Sequence, residues 1–158
     1  MQDLLAEFSR VRRAILEVAA GLPPDRQAEV FLGSWTIREL LAHLAGWDET
    51  NLAAARSVQA GQLPDFYAYR DRDWQSYNAR LVGQFAGKTP SELQILAAQT
   101  QAELVAYLQS LSSAIFFRDF EVRYRGYRVT IARLVESEVH DENVHLGQIA
   151  DWIQVVVK

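Results

Sequence analysis

Cysteine is absent from this 158-residue chain. That excludes a disulfide framework, a thiolate metal site and a cysteine nucleophile together. Long apolar runs are missing too: no stretch approaches the roughly 20 residues that cross a bilayer, so no membrane partner is expected. Lysine is reduced to Lys88 and Lys158, and the net charge is −4. This mild acidity does not fit the broad basic face of a dedicated nucleic-acid binder, so no nucleic-acid partner is expected. Met1-Gln2-Asp3 runs directly into an amphipathic pattern with no basic leader or cleavable apolar stretch, and a cytoplasmic location is the expectation.

What is present is apolar sequence in helical register. Hydrophobic residues make up 49% of the chain, enough at this length for one domain, residues 1–158, with its own core. Leu4, Phe8, Val11, Ile15 and Val18 alternate steps of four and three, which predicts a helix with one apolar stripe. Arg10, Arg12, Arg13 and Glu17 fall mostly off that stripe. Gly21 and Pro23-Pro24 end the helix, and a polar connector from Asp25 to Gly33 follows.

Thr36 and Glu39 have the spacing of a capping box, with Trp35 and Leu40 placed as the hydrophobic staple. Ile37, Leu40, Leu41, Leu44, Trp47 and Leu52 continue that second helix to about Ala60. Aromatic residues then crowd between Pro64 and Gly87. Trp74, Tyr77, Leu81 and Phe85 keep helical spacing there, predicting a short extra helix from about Arg72 to Ala86. Thr89-Pro90-Ser91-Glu92 combines a cap, a proline at the first helical position and a capping-box glutamate. It opens a third long helix through Leu93, Leu96, Leu104 and Leu111. Only Phe116 to Thr130 alternates like a strand, predicting an extended connection or small hairpin. Ile131, Leu134, Val135, Glu138, Leu146, Ile149 and Ile153 trace the last helix. The fold class is therefore all-α: a four-helix bundle with one short extra helix and a small extended or hairpin connection before the last helix.

The three histidines, His43, His140 and His145, all fall on helices. Facing helices of a bundle build metal sites from inward histidines and carboxylates. Residues four apart on a helix share a face, as Asp141 and His145 do; His140 and His145 diverge by roughly 140° and meet only through a bulge or break. The arithmetic prefers His43, Asp141 and His145 as metal ligands, a set suited to Zn²⁺, Fe²⁺, Ni²⁺ or Mn²⁺. The alternative is that each histidine is a hydrogen-bonded core residue and that Asp141 and Glu142 are solvated helix charges.

Trp35 to Glu49 (WTIRELLAHLAGWDE) resembles the second-helix signature of the DinB-like superfamily, and His140-Asp141 through His145-Leu146-Gly147-Gln148-Ile149 resembles its fourth-helix signature. Asp73-Trp74, Asn78-Ala79-Arg80 and Tyr124-Arg125-Gly126 are similar to the ClbS/DfsB branch. The likeness spans Leu4 to Trp152. It implies a bundle, often a homodimer, with a metal at one end held by three histidines. By position these ligands fall on His43, Asp141 and His145, so aspartate stands where the pattern has histidine, with His140 displaced by one residue.

The resemblance also implies a metal-dependent hydrolase or a thiol transferase acting on small electrophilic molecules, in a stress or detoxification role. A low-molecular-weight thiol would be its second partner. Glu142 or Asp48 would act as base, and Trp47, Trp74 and Tyr77 are candidate pocket walls; helical spacing favours the core for Trp74 and Tyr77. The alternative function is a non-catalytic small-molecule-binding bundle with a degenerate or absent metal site. The arginines Arg118, Arg123, Arg125 and Arg128 read first as a solvated face, then as a rim for an anionic ligand, and last as a nucleic-acid contact.

Overall fold

A computed structural model of the chain describes residues 1–69 and 73–156. Four long helices carry the fold: α1 (Gln2–Gly21), α3 (Ile37–Gln59), α5 (Pro90–Ser110) and α7 (Ile131–Val156). Between them lie the one-turn α2 (Pro24–Gln27), a 3-10 turn (Asp65–Ala68), α4 (Trp74–Gly83) and the one-turn α6 (Ser113–Phe116). Helix α3 packs on α5 and α7, and α1 packs on the same two partners, so the long helices close into a ring.

The helix starts form where the spacing places them. Thr36 and Glu39 make the reciprocal capping box of α3, and Thr89 and Glu92 make that of α5. Asp73 caps α4 by accepting from the Ser76 backbone at 3.0 Å. That helix runs from Trp74 to Gly83, inside the predicted span, whose first residue, Arg72, lies outside the described residues. The connector expected to be merely polar contains α2 and a tight turn in which the Trp35 N–H donates to the Leu32 carbonyl at 2.8 Å. Gly33 sits at φ +59° in this turn, a conformation glycine takes without a Cβ penalty.

The extended stretch is a two-stranded antiparallel hairpin, β1 (Arg123–Tyr124) and β2 (Tyr127–Arg128), with Tyr124 paired to Tyr127. Arg125 and Gly126 both have positive φ, 49° and 83°, which gives a two-residue turn whose twist suits a hairpin. Helix α4 lies tightly on α3: a Cβ added at Gly46 would stand 2.9 Å from the Leu81 Cβ. Among the described residues, no helix is long and apolar enough to cross a membrane.

Candidate functional site

A cavity of about 1230 Å³ opens where α3, α4, α7, the 3-10 turn and the hairpin meet. His43, Asp141 and His145 all line it. The rings of His43 and His145 are neighbours across α3 and α7, their centroids 5.2 Å apart and nearly perpendicular. The turn before α3 lays the Trp35 ring against His43 at 4.8 Å and 6.2 Å from His145, so Trp35 covers the histidine pair as well as preceding the helix cap.

Burial, reinforced by the positive charge of Arg12 and by His145, lowers His43 to about 3. Burial lowers His145 as well, against its hydrogen bond to Gln148. Both imidazoles are therefore neutral near pH 7, the form that ligates metals. The His145 Nδ1 lies 2.9 Å from the Gln148 Oε1, which fixes one ring nitrogen. His43 Nδ1 is buried without a hydrogen-bond partner. Asp141 is exposed at the cavity edge, one turn before His145, and His140 is exposed on the same rim.

The larger departure from the sequence reading lies beneath this surface. Arg12, expected off the apolar stripe, is fully buried. Its guanidinium donates to both Asp48 oxygens at 2.7 and 3.0 Å, to Glu142 at 2.5 Å and to the Ala97 carbonyl at 2.7 Å. Thr100 adds a hydroxyl donor to Asp48 at 2.6 Å. Asp48 and Glu142, the candidate bases, are thus bound to Arg12, and neither lines the cavity. Glu142 is a buried ion-pair partner and not a solvated helix charge.

Glu138 and Asn51 are the residues that residue-type arguments passed over. Both are buried, both line the cavity, and Asn51 Nδ2 donates to Glu138 Oε2 at 2.7 Å. Burial and the nearby Glu142 and Asp48 raise the Glu138 carboxyl well above its usual range. The signal for Glu138 was its position: it occupies a core register of the last helix, where a carboxylate needs a reason to be. Asn51 offered no comparable signal.

Among the described residues, the set of three acidic or histidine ligand atoms lying within 4.8 Å of one another is Asp48, Glu138 and Glu142. By spacing this set could hold a cation. The Arg12 guanidinium already supplies positive charge to two of its members, and burial raises the pKa of all three carboxyls.

Aromatic rings form the wall. Trp47 contacts His43, Phe66, Trp74 and Tyr77 at centroid distances of 6.3, 5.5, 5.6 and 5.4 Å. Phe66 stacks on Tyr67 at 4.5 Å, and Tyr67 meets Tyr124 of the hairpin at 4.9 Å. Trp47 and Trp74 line the cavity, whereas Tyr77 is buried behind them. The arginine group divides: Arg123 pairs with Asp119 at 2.7 Å, Arg118 and Arg125 lie over Phe120 and Tyr124, and Arg128 reaches the cavity mouth.

Fold and site together define a four-helix bundle with a histidine-lined, aromatic-walled cavity at one end. The chain belongs to the DinB superfamily, whose family model matches residues 7–149. Two solved structures share its fold. An uncharacterised protein from Escherichia coli UTI89 superposes with a TM-score of 0.76 at 14% identity, covering 97% of this chain and 92% of that one. The Sibling Lethal Factor Precursor DfsB gives 0.73 at 15% identity, covering 97% and 94%. No curated protein matches the sequence.

Proposed function

We propose that the protein acts on a small electrophilic molecule in this cavity, as a metal-dependent hydrolase or a thiol transferase. The observation that carries the reading is the His43–His145 pair: two neutral imidazoles side by side in a large pocket, one with a buried nitrogen that has no protein partner. A buried polar atom without a partner is costly, and a bound cation would satisfy it. Two imidazoles and a carboxylate suit a divalent transition metal such as Zn, Ni, Fe or Mn. Asp141 is the proposed third ligand: it shares a helix face with His145, and being exposed it can change rotamer at little cost. Superfamily membership is compatible with a metal-dependent enzyme or a stress-related protein.

Metal bound at His43, Asp141 and His145 would lower the pKa of a coordinated water or hold the thiolate of a low-molecular-weight thiol. The protein's own residues do the rest. Trp35, Trp47 and Trp74 give the cavity an aromatic wall, and Gln148 orients the His145 ring. Glu138, whose carboxyl burial raises well above its usual range, lines the same cavity.

A second reading, a non-catalytic bundle that binds a small molecule, is favoured by one observation. The tightest ligand-type cluster is acidic and is already neutralised in part by Arg12. Elemental analysis of untagged protein after Zn²⁺ or Ni²⁺ loading separates the two. Near-stoichiometric metal, lost in His43→Ala and His145→Ala, supports the first, and turnover of an epoxide with or without a small thiol then identifies the reaction. Metal that survives Asp141→Ala assigns the third position to His140. A parent protein that takes up no metal sinks the metal-dependent reading and leaves the second.

A further inference from the structure

The cavity wall is richer in aromatic surface than core filling requires. Trp35, Trp47, Phe66, Tyr67, Trp74 and Tyr124 all line it, and through His43 they make an unbroken series of ring contacts from the turn before α3 to the hairpin. Trp35, Trp47, Trp74 and Tyr124 are only partly buried, so ring surface remains open. The Trp47 Nε1 already donates to Asn78 at 3.0 Å, which leaves that indole to act through its π-face.

Beside this wall, Asn51 and Glu138 are buried polar residues that line the cavity. Asn51 and Glu138 share one hydrogen bond, and among the described residues neither side chain makes another. The Asn51 Oδ1 is left as an acceptor, and the Glu138 carboxyl has a second oxygen to offer. Arg128, Arg133, Glu136 and Asp141 also line the cavity, so it carries charge of both signs.

We propose that the cavity selects planar, conjugated molecules bearing a carboxamide-like hydrogen-bonding edge, the ring stacking within the aromatic wall and the edge meeting Asn51 and Glu138. The proposal rests on the reading above that this cavity is the substrate site, and it names the class of substrate. A flat π-system gains the quadrupole term of aromatic contact, which a saturated ring of similar size does not. An edge that both donates and accepts satisfies the Asn51–Glu138 pair in place of water. A volume of about 1230 Å³ accommodates a bicyclic ring with substituents.

The test is calorimetric titration of chelator-treated, metal-free protein with 2-naphthamide, its decahydronaphthalene analogue and 2-methylnaphthalene. 2-Naphthamide is expected to bind about tenfold more tightly than either comparator. Trp74→Leu is expected to abolish the preference over the saturated analogue, and Trp74→Phe to retain most of it. Should Trp74→Leu fail to fold, the comparison of ligands on the parent protein still decides. Equal binding of the saturated analogue or of 2-methylnaphthalene, or no binding of any of the three, overturns the proposal. Because the protein is metal-free throughout, these outcomes are independent of whether His43 and His145 hold an ion.

Discussion

Arg12 and Asp48 form a two-pronged ion pair across 36 residues of sequence, with both side chains almost completely out of water. The pair ties α1 to α3, and the Arg12 bond to Glu142 ties both to α7. Although burial opposes its charge, Arg12 stays protonated because Asp48 and Glu142 face it. The network lies next to Glu138, so the charge balance under the cavity is set by a residue on the first helix.

Removing that cation is expected to be expensive. Arg12→Met leaves Asp48 and Glu142 buried without compensation, and should cost about 3–5 kcal/mol in urea unfolding at pH 7.5. The deficit should shrink toward pH 5, as the two carboxyls take up protons. A loss below about 1 kcal/mol would show that the network contributes little.

Stability should peak in mildly acidic solution. Glu142 is raised to about 7 by burial and Glu138 is raised well above its usual range, so the folded state holds more protons on these groups than the unfolded state does. Their contribution is therefore lost as pH rises above about 4.5, by up to about 1.4 kcal/mol per pH unit for each proton. His43 and His145 act in the opposite sense. Both are lowered by burial, so the unfolded state binds their protons first as pH falls below about 6.5. The two pairs offset each other between about pH 4.5 and 6.5, with decline on either side. Glu138→Gln should flatten the alkaline decline in an unfolding series from pH 4 to 9. An unchanged slope would show that Glu138 does not hold the proton.

Gly46 sets how closely α4 approaches α3. Gly46→Ala places a methyl group 2.9 Å from the Leu81 Cβ and should destabilise by about 1–3 kcal/mol. Pairing it with Leu81→Gly, which removes the clashing Cβ, should recover part of its effect in a double-mutant cycle. Additive losses would mean that the helices separate freely.

The Thr36 cap starts α3 about two turns before the pocket histidine. Thr36→Ala removes a side-chain acceptor and uncouples Glu39, and should lower the melting free energy by about 1 kcal/mol, with Thr36→Ser close to the parent. Equal melting of all three proteins would show that the cap is redundant.

Much of this molecule was legible along the chain because its signals are local. A capping box needs only four residues, so Thr36–Glu39 and Thr89–Glu92 located two helix starts to the residue. Helical period placed Asp141 and His145 on one face. The hairpin followed from alternation around Arg125-Gly126.

The burial of Arg12 had no such signal. Whether an arginine beside an apolar stripe faces water or carboxylates depends on which helices flank it, and its partners lie 36 and 130 residues away. The same holds for Asn51, whose role exists only because Glu138 of α7 lies against it. Trp35 read as a staple from its neighbours in sequence, yet its ring covers His43 because the Gly33 turn folds it back. The sequence by itself determined the helices, their caps and the residues able to ligate or stack, since these depend on spacing within one segment. Tertiary structure alone decided which charges are neutralised, which rings form a wall and which face encloses a cavity, since those depend on side chains from distant segments meeting at van der Waals distance.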